Sequence, residues 1–278
     1  MIRALGRQAM VKNLLDHLVT GSSAVVAGGP RMGKTTFLQQ IAATADGAFH
    51  PVLIDLAAEP QPDPAQRIPQ EGGPAIFLPA IFLLDGCERL LPDPVPFMDQ
   101  MHQTALRTGA QLAGTVWSGD ARWGEWAMAH RPAFNGPVRY YPLIVLPPKE
   151  ARLFLKRRWS ADVPSSELEW VLELSGGHPY LLARMVEGPK RDFDPFFAEL
   201  WKAADSPVER HIIMQLVEAK SWVLLQDLRD ETGGAAPKPV LDRLAVTGLI
   251  NRTLVDGAAA ATLVSPLLAD WIRRTSHT

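Results

Sequence analysis

The stretch that most constrains this chain is Gly28-Gly29-Pro30-Arg31-Met32-Gly33-Lys34-Thr35, which spells G-x-x-x-x-G-K-[ST]. The apolar run Ala24-Val25-Val26-Ala27 before it reads as a buried strand, and helical apolar spacing begins near Lys34. Strand, glycine loop and helix is the order of parts that a polyphosphate cradle needs. Gly28 and Gly33 permit positive φ and close backbone approach, so that successive N–H groups converge on anionic oxygens. The helix N-terminus adds its partial positive charge at the same place. Lys34 supplies a mobile full charge for β- and γ-phosphates, and the Thr35 hydroxyl is placed to bind Mg²⁺. The bare pattern arises by accident in a chain this long about once in a hundred, and the flanking strand and helix make accident rarer. Gly28, Gly29, Pro30, Arg31, Met32, Gly33, Lys34, Thr35 and Thr36 are therefore the predicted nucleotide-binding segment.

Downstream, Pro51 to Leu56 reads as a second buried strand. Ala57 to Pro74 is rich in Pro, Gln and Gly and lacks a helical period, which predicts an exposed loop and a candidate contact surface. A tandem duplication follows: Pro74-Ala75-Ile76-Phe77-Leu78, then Pro79-Ala80-Ile81-Phe82-Leu83. Proline inside a central strand deletes a ladder bond, so Pro79 marks a strand start and the second copy is the strand. It runs into Leu84-Asp85. An apolar strand ending in a carboxylate behind a phosphate loop is where a Mg²⁺ shell is held, which makes Thr35 and Asp85 the candidate metal residues. Glu88 is a candidate for polarising an attacking water, or else a solvated glutamate on the first turn of the next helix. Lys34, Asp85 and Glu88 are thus the candidate catalytic residues.

Phe97 to Arg107 reads as a helix and Gln111 to Val116 as a strand. Ser118, just past that strand, stands where a γ-phosphate sensor would sit; a turn cap is the alternative. Trp117, Trp123 and Trp126 read as core or lid packing, with a partner surface as the alternative. Val138 to Leu146 reads as the last strand, and Pro142 puts it at an edge. A helical segment follows: Lys149 to Trp159, Ser166 to Leu174 after a Ser165-Ser166 cap, a Gly176-Gly177-His178-Pro179 turn, and Asp194 to Ala204. Beyond Ser206, Val208 to Glu218, Leu224 to Asp230 and Pro239 to Val246 read as short helices. Two strands then flank Asp256-Gly257, and a helix spans Pro266 to Arg274. The expected architecture is an α/β P-loop NTPase, a parallel sheet flanked by helices, over residues 1–147. An α-helical lid over 148–205 and a C-terminal winged-helix domain over 206–278 complete it.

Composition narrows the partners. The net charge of −2 carries no global basic bias of the kind nucleic-acid and anionic-membrane binders show. Cys87 is the only cysteine, so no disulfide forms within the chain, which fits a reducing compartment. Met1 to Ala9 has no apolar signal core, and the apolar stretch Ala75 to Leu84 is interrupted by Pro79 and too short to span a bilayer. A soluble, cytoplasmic protein without membrane partners is expected.

Taken together, Gly6-Arg7 before the first helix, Gly28 to Thr35 with Arg31 inside the loop, Leu83-Leu84-Asp85-Gly86-Cys87-Glu88, and Gly177-His178-Pro179 followed by the winged helix form a pattern. With it the chain resembles the STAND branch of the AAA-related P-loop ATPases, including bacterial and archaeal AAA-like ATPases near the origin-recognition group. The resemblance covers nearly the whole length. It implies ATP or ADP with Mg²⁺ as cofactors, and an adenine pocket lined by Gly6, Arg7, His178 and Pro179. It also implies a switch in which ADP favours a closed monomer and ATP an open form that self-assembles or engages a partner.

The chain departs from the pattern in three ways. Gly86 stands where many hydrolysing relatives carry an acid, which implies slow Mg²⁺-dependent turnover. No internal repeat of twenty to fifty residues is present, so effector and sensor functions would reside in other polypeptides or be absent. No arginine finger is assignable beyond Arg122 and Arg131, by position only. The alternative function is a DNA-binding loader using the winged helix. Charge speaks against it: from Ser206 to Thr278, eight Lys/Arg face eight Asp/Glu, whereas phosphate contacts want uncompensated cations.

Overall fold

A computed structural model describes residues 7–18, 22–45, 47–58, 78–107, 112–134, 136–159, 163–187 and 192–276. The chain forms two compact units, Met1–Ala27 with Gly33–Leu143, and Gly28–Met32 with Ile144–Thr278.

The first unit is built on five parallel strands. In chain order it contains α1 (Gln8–Leu18), β1 (Ser23–Ala27), α2 (Lys34–Ala45), β2 (His50–Asp55), β3 (Ala80–Asp85), α3 (Val95–Arg107), β4 (Leu112–Gly119), α4 (Ala121–Ala129) and β5 (Val138–Pro142). The sheet order is β2-β3-β4-β1-β5, with every neighbouring pair parallel. Parallel strands covered on both faces are apolar throughout, and β1 and β3 are buried at every residue. Because β4 lies between β1 and β3, three strand ends open side by side at the carboxyl edge. Trp117 and Trp123 are core, and the half-buried Trp126 packs against them: Trp117 meets Phe134 edge-on at 5.7 Å, and Trp123 stacks on Trp126 at 5.3 Å.

Several boundaries differ from the sequence reading. β4 continues through Trp117 and Ser118 to Gly119, because Ser23 to Ala27 of β1 pairs with Thr115 to Gly119. Ser118 therefore lies inside the strand instead of just past it. β5 stops at Pro142, as an edge strand paired to β1. The first copy of the duplication, apart from Leu78, and residues 59–74 of the expected loop lie outside the described residues.

The second unit contains α5 (Pro148–Arg158), α6 (Ser165–Ser175), α7 (Pro179–Val186), α8 (Asp194–Ala203), α9 (Pro207–Ala219), β6 (Val223–Leu224), α10 (Lys238–Thr247), β7 (Ile250–Val255), β8 (Ala258–Leu263) and α11 (Pro266–Thr275). The N-cap of α6 is Pro164, so Ser165 is already helical and caps nothing. Ser206 and Glu209 form a reciprocal capping box at the start of α9. No helix forms over Leu224 to Asp230. Leu225 N–H bonds Ala259 O at 2.8 Å, the Gln215 amide holds both backbone groups of Arg229, and the Asp230 carboxylate holds a turn through Thr232 and Gly234. Those side-chain partners satisfy the backbone that a helix would have satisfied. The hairpin β7–β8 turns on Asp256 and Gly257 at φ 50 and 82, the two positive angles its type requires.

One apolar core joins Leu181, Phe196 and Leu200 to Ile212, Leu244 and Trp271. The segments expected as lid and winged helix are fastened a second time at the glycine turn. Gly176, at φ 54, presses so close to the hairpin exit that a Cβ there would lie 1.4 Å from Val264 O. Asn251 Nδ2 donates to Gly176 O at 3.0 Å, and Ser265 Oγ to Leu174 O at 2.5 Å.

Candidate functional site

In the first unit, the chain turns from Gly33, at φ 82, directly into α2, and Phe37 N–H closes the first turn on Gly33 O at 2.9 Å. Lys34 and Thr35 thereby stand at a helix N-terminus, where backbone N–H groups point outward. Arg7 is nearly buried, with its Nη1 3.6 Å from where a Cβ on Gly33 would stand. The other half of the Gly-Arg pair, Gly6, lies outside the described residues.

The head of α2 and the ends of β3 and β4 converge on one carboxylate. Thr35 Oγ1, at the head of α2, donates to Asp85 Oδ2 at the end of β3. Ser118 Oγ, near the end of β4, donates to Asp85 Oδ1 at 3.2 Å, and Gly86 N–H donates to the same oxygen at 3.1 Å. A carboxylate that takes hydroxyl and N–H donors is held in a fixed orientation. Among the described residues, no group of three or more His, Cys, Asp or Glu is poised to hold a metal ion. A single carboxylate beside a hydroxyl, both hard oxygen donors, fits Mg²⁺, which keeps several waters and takes substrate phosphate oxygens as further ligands. Thr35 and Asp85 are the residues that would hold it.

Glu88 lies in a 3₁₀ turn over Cys87–Leu90. Its Oε2 accepts from Asp120 N–H at 3.2 Å, while Asp120 caps α4 through Trp123 N–H at 2.9 Å and receives Arg122 Nη2 at 2.8 Å. Glu88 therefore braces the turn that leads from β4 into α4. Of the two arginines singled out by position, Arg122 is engaged by Asp120, and Arg131 Nη2 reaches Met128 Sδ at 3.4 Å.

The second unit holds Gly28 to Met32. Positive φ in the loop falls on Arg31, at 55, and not on Gly28 as the sequence pattern suggested. What glycine permits at Gly29 is a close approach of protein backbone. Gly29 N–H donates to Val246 O at 2.8 Å, and a Cβ on Gly29 would lie 1.9 Å from Thr247 O. Met32 is fully buried, and a Cβ on Gly248 would lie 3.0 Å from its sulfur and 3.3 Å from the His178 ring. His178 is fully buried and caps α7 by accepting from Tyr180 N–H at 3.3 Å, with Pro179 as the first helical residue. Pro30 and Thr36, the latter in the first unit, are half-buried. Sequence reasoning missed Thr247 and Gly248, whose only legible signal was a glycine helix stop, and Tyr180 and Glu199, the partners of Arg31.

Against solved structures, the chain is similar to the Walker-type ATPase PABY2304 of Pyrococcus abyssi, with a TM-score of 0.60 over 98% of this chain and 97% of that one, at 15% identity. The fold is that of a P-loop ATPase. The RuvB Holliday junction branch migration motor of Thermotoga maritima aligns at a TM-score of 0.47 and 16% identity over 97% of this chain and 95% of that one. A STAND protein with a tetratricopeptide repeat sensor, PH0952 of Pyrococcus horikoshii, aligns at 0.38 and 16% identity over 94% of this chain and 42% of its own. No protein-family model and no curated protein matches the chain. Among the described residues, no helix is long and apolar enough to cross a membrane.

Proposed function

We propose that this protein is an ATP-binding switch, a slow Mg²⁺-dependent ATPase whose bound nucleotide sets the arrangement of its C-terminal elements. The observation that carries the reading is the meeting of Thr35, Asp85 and Ser118 at the head of α2, the helix into which Gly33 leads. In this reading, Lys34 and the N–H groups at the head of α2 bind the β- and γ-phosphates, and Thr35 and Asp85 hold Mg²⁺. A bound Mg²⁺ neutralises charge on the phosphate oxygens. Ser118 keeps the Asp85 carboxylate turned toward Thr35. Glu88 positions the attacking water, and because its carboxylate is engaged by Asp120 N–H, turnover is slow.

Support for a switch comes from the second unit. Gly29, Arg31 and Met32, residues of the proposed phosphate loop, are held by Val246, Glu199 and the Gly248 turn. A ligand that needs the loop free of those contacts differs in affinity between the two arrangements, which is the condition for shifting a population. We place effector or sensor functions in a partner protein or in further copies of this chain. The cations that α10 and the neighbouring β7 would offer to DNA are already paired. Lys238 Nζ bonds Asp242 at 2.5 Å, Arg252 bonds the same carboxylate, and Arg243 is gripped by Glu209 and Asp205. Recognition of duplex DNA would have to break those pairs, so protein engagement is favoured over DNA loading.

The test is calorimetric titration with ATP and with ADP, each with and without Mg²⁺, on the wild type and on Lys34→Ala. Affinity for ATP is expected to fall by at least about tenfold when the lysine charge is removed. Mass in solution is expected to differ between the ADP and ATP forms. Undiminished ATP affinity in Lys34→Ala overturns the assignment.

A further inference from the structure

We propose that Arg31, Glu199 and Tyr180 form a latch that reads nucleotide charge, setting the preference of the phosphate loop between diphosphate and triphosphate. The proposal rests on the nucleotide-switch reading and names the residues that regulate that site.

Arg31 sits at φ 55, in the left-handed region that side chains other than glycine, Asn and Asp rarely occupy. Such a conformation persists only where neighbouring structure holds it. Here the holders are visible. Arg31 Nε donates to Glu199 Oε2 on α8 at 3.0 Å, and its guanidinium lies 4.7 Å from the centroid of the Tyr180 ring on α7. On either side of it the loop is fastened as well, Gly29 through its N–H to Val246 O and Met32 by full burial. The arginine is therefore committed to a carboxylate and an aromatic face.

The strength of the contact suits a latch. The side chains of Arg31 and Glu199 are 50% and 44% exposed, so the pair is solvent-screened and easily broken. The ion pair between Arg243 and the 1% exposed Glu209 is a fixed strut by contrast. Arg31 stands three residues before Lys34 in the segment that would meet the phosphates. A triphosphate differs from a diphosphate by one phosphoryl group and its charge. Guanidinium groups favour phosphate oxygens with charge-assisted, forked hydrogen bonds, so the added phosphoryl group competes with Glu199 for Arg31. With a diphosphate, Glu199 and Tyr180 keep the arginine and the loop stays fastened. With a triphosphate, the arginine leaves and the left-handed turn loses its anchor.

The two partners must then act with opposite sign, which a merely structural ion pair would not do. Calorimetric affinities for Mg·ATP and Mg·ADP are measured on wild type, Arg31→Ala, Glu199→Gln, Tyr180→Leu and the Arg31→Ala/Glu199→Gln double variant. Glu199→Gln is expected to raise ATP affinity about two- to fivefold, the range an exposed pair supports, with ADP affinity unchanged or lower. Tyr180→Leu is expected to shift the ratio in the same direction by a smaller factor. Arg31→Ala is expected to weaken ATP about fivefold or more while ADP moves by less than about twofold. The double variant is expected to match Arg31→Ala, since Glu199 then has nothing to hold. Equal shifts for both nucleotides, or the same sign in Arg31→Ala and Glu199→Gln, overturn the latch and leave nucleotide binding standing. Failure of the wild type to bind either nucleotide removes the reading on which the latch rests.

Discussion

Two buried carboxylates in this molecule have opposite surroundings. Glu209, on the first turn of α9, is 1% exposed and fully subscribed. It accepts from Ser206 N–H at 3.1 Å and takes Arg243 through both oxygens, at 2.5 and 2.7 Å. Asp85, at the end of β3, is 9% exposed, and among the described residues its partners are two hydroxyls and one N–H. A buried charge matched by a guanidinium is a structural strut. A nearly buried carboxylate oriented by neutral donors has no cation of its own among them, and on the proposed reading that is what suits Asp85 to a metal supplied from outside. Burial alone does not separate the two acids; the charge of their partners does.

The largest effect that sharpens this contrast is expected at Glu209. Glu209→Ala takes the buried carboxylate away from Arg243, leaves Asp205 beside it and opens the capping box, and should cost about 3 kcal/mol in urea unfolding, the lower end for breaking a buried pair. A loss below about 1 kcal/mol would remove the strut from the comparison. Asp85→Asn should leave the stability of the nucleotide-free protein within about 1 kcal/mol, since the amide oxygen can still accept from Thr35 or Ser118. The same variant should lose Mg²⁺-dependent turnover by at least about a hundredfold. Retained turnover would move the metal site away from β3. The smallest effect belongs to the surface of α10. Lys238→Ala removes an exposed i,i+4 pair with Asp242 and should cost about 0.3–0.5 kcal/mol. Salt-dependent retardation of duplex DNA by the wild type, lost in Lys238→Ala, would show that this lysine reads phosphate and would restore the DNA-loader alternative.

Much of the first unit was legible because its signals are local. A buried parallel strand is a short apolar run, and β1 and β3 announce themselves so. Pro79 told which copy of the duplication carries the strand, since a ladder bond cannot be made at proline. Asp85 was legible by its position at the end of such a run, and Asp256-Gly257 by the positive φ that its turn demands. The misreadings are equally instructive. Leu224 to Asp230 has helical spacing, yet Gln215 of α9 and Ala259 of β8 supply hydrogen bonds from far along the chain and take the backbone elsewhere. Ser118 was placed outside its strand because the strand's length is set by its pairing with β1, which the residues around Ser118 do not encode.

The sequence by itself determined the glycine-rich segment that runs into α2, the carboxylate at the end of β3, the alternation of strand and helix in the front half, and the helical character of the rear. These depend on interactions among residues a few positions apart, or on the backbone freedom of single residues. Only the tertiary structure decided what each glycine of the loop is for, which hydroxyls aim Asp85, and whom Arg31 holds. Gly29 meets Thr247, Arg31 meets Glu199, and Thr35 meets Asp85 across separations that range from fifty to more than two hundred residues. No periodicity reaches that far; such contacts exist only once a packed core has brought distant segments within hydrogen-bonding distance.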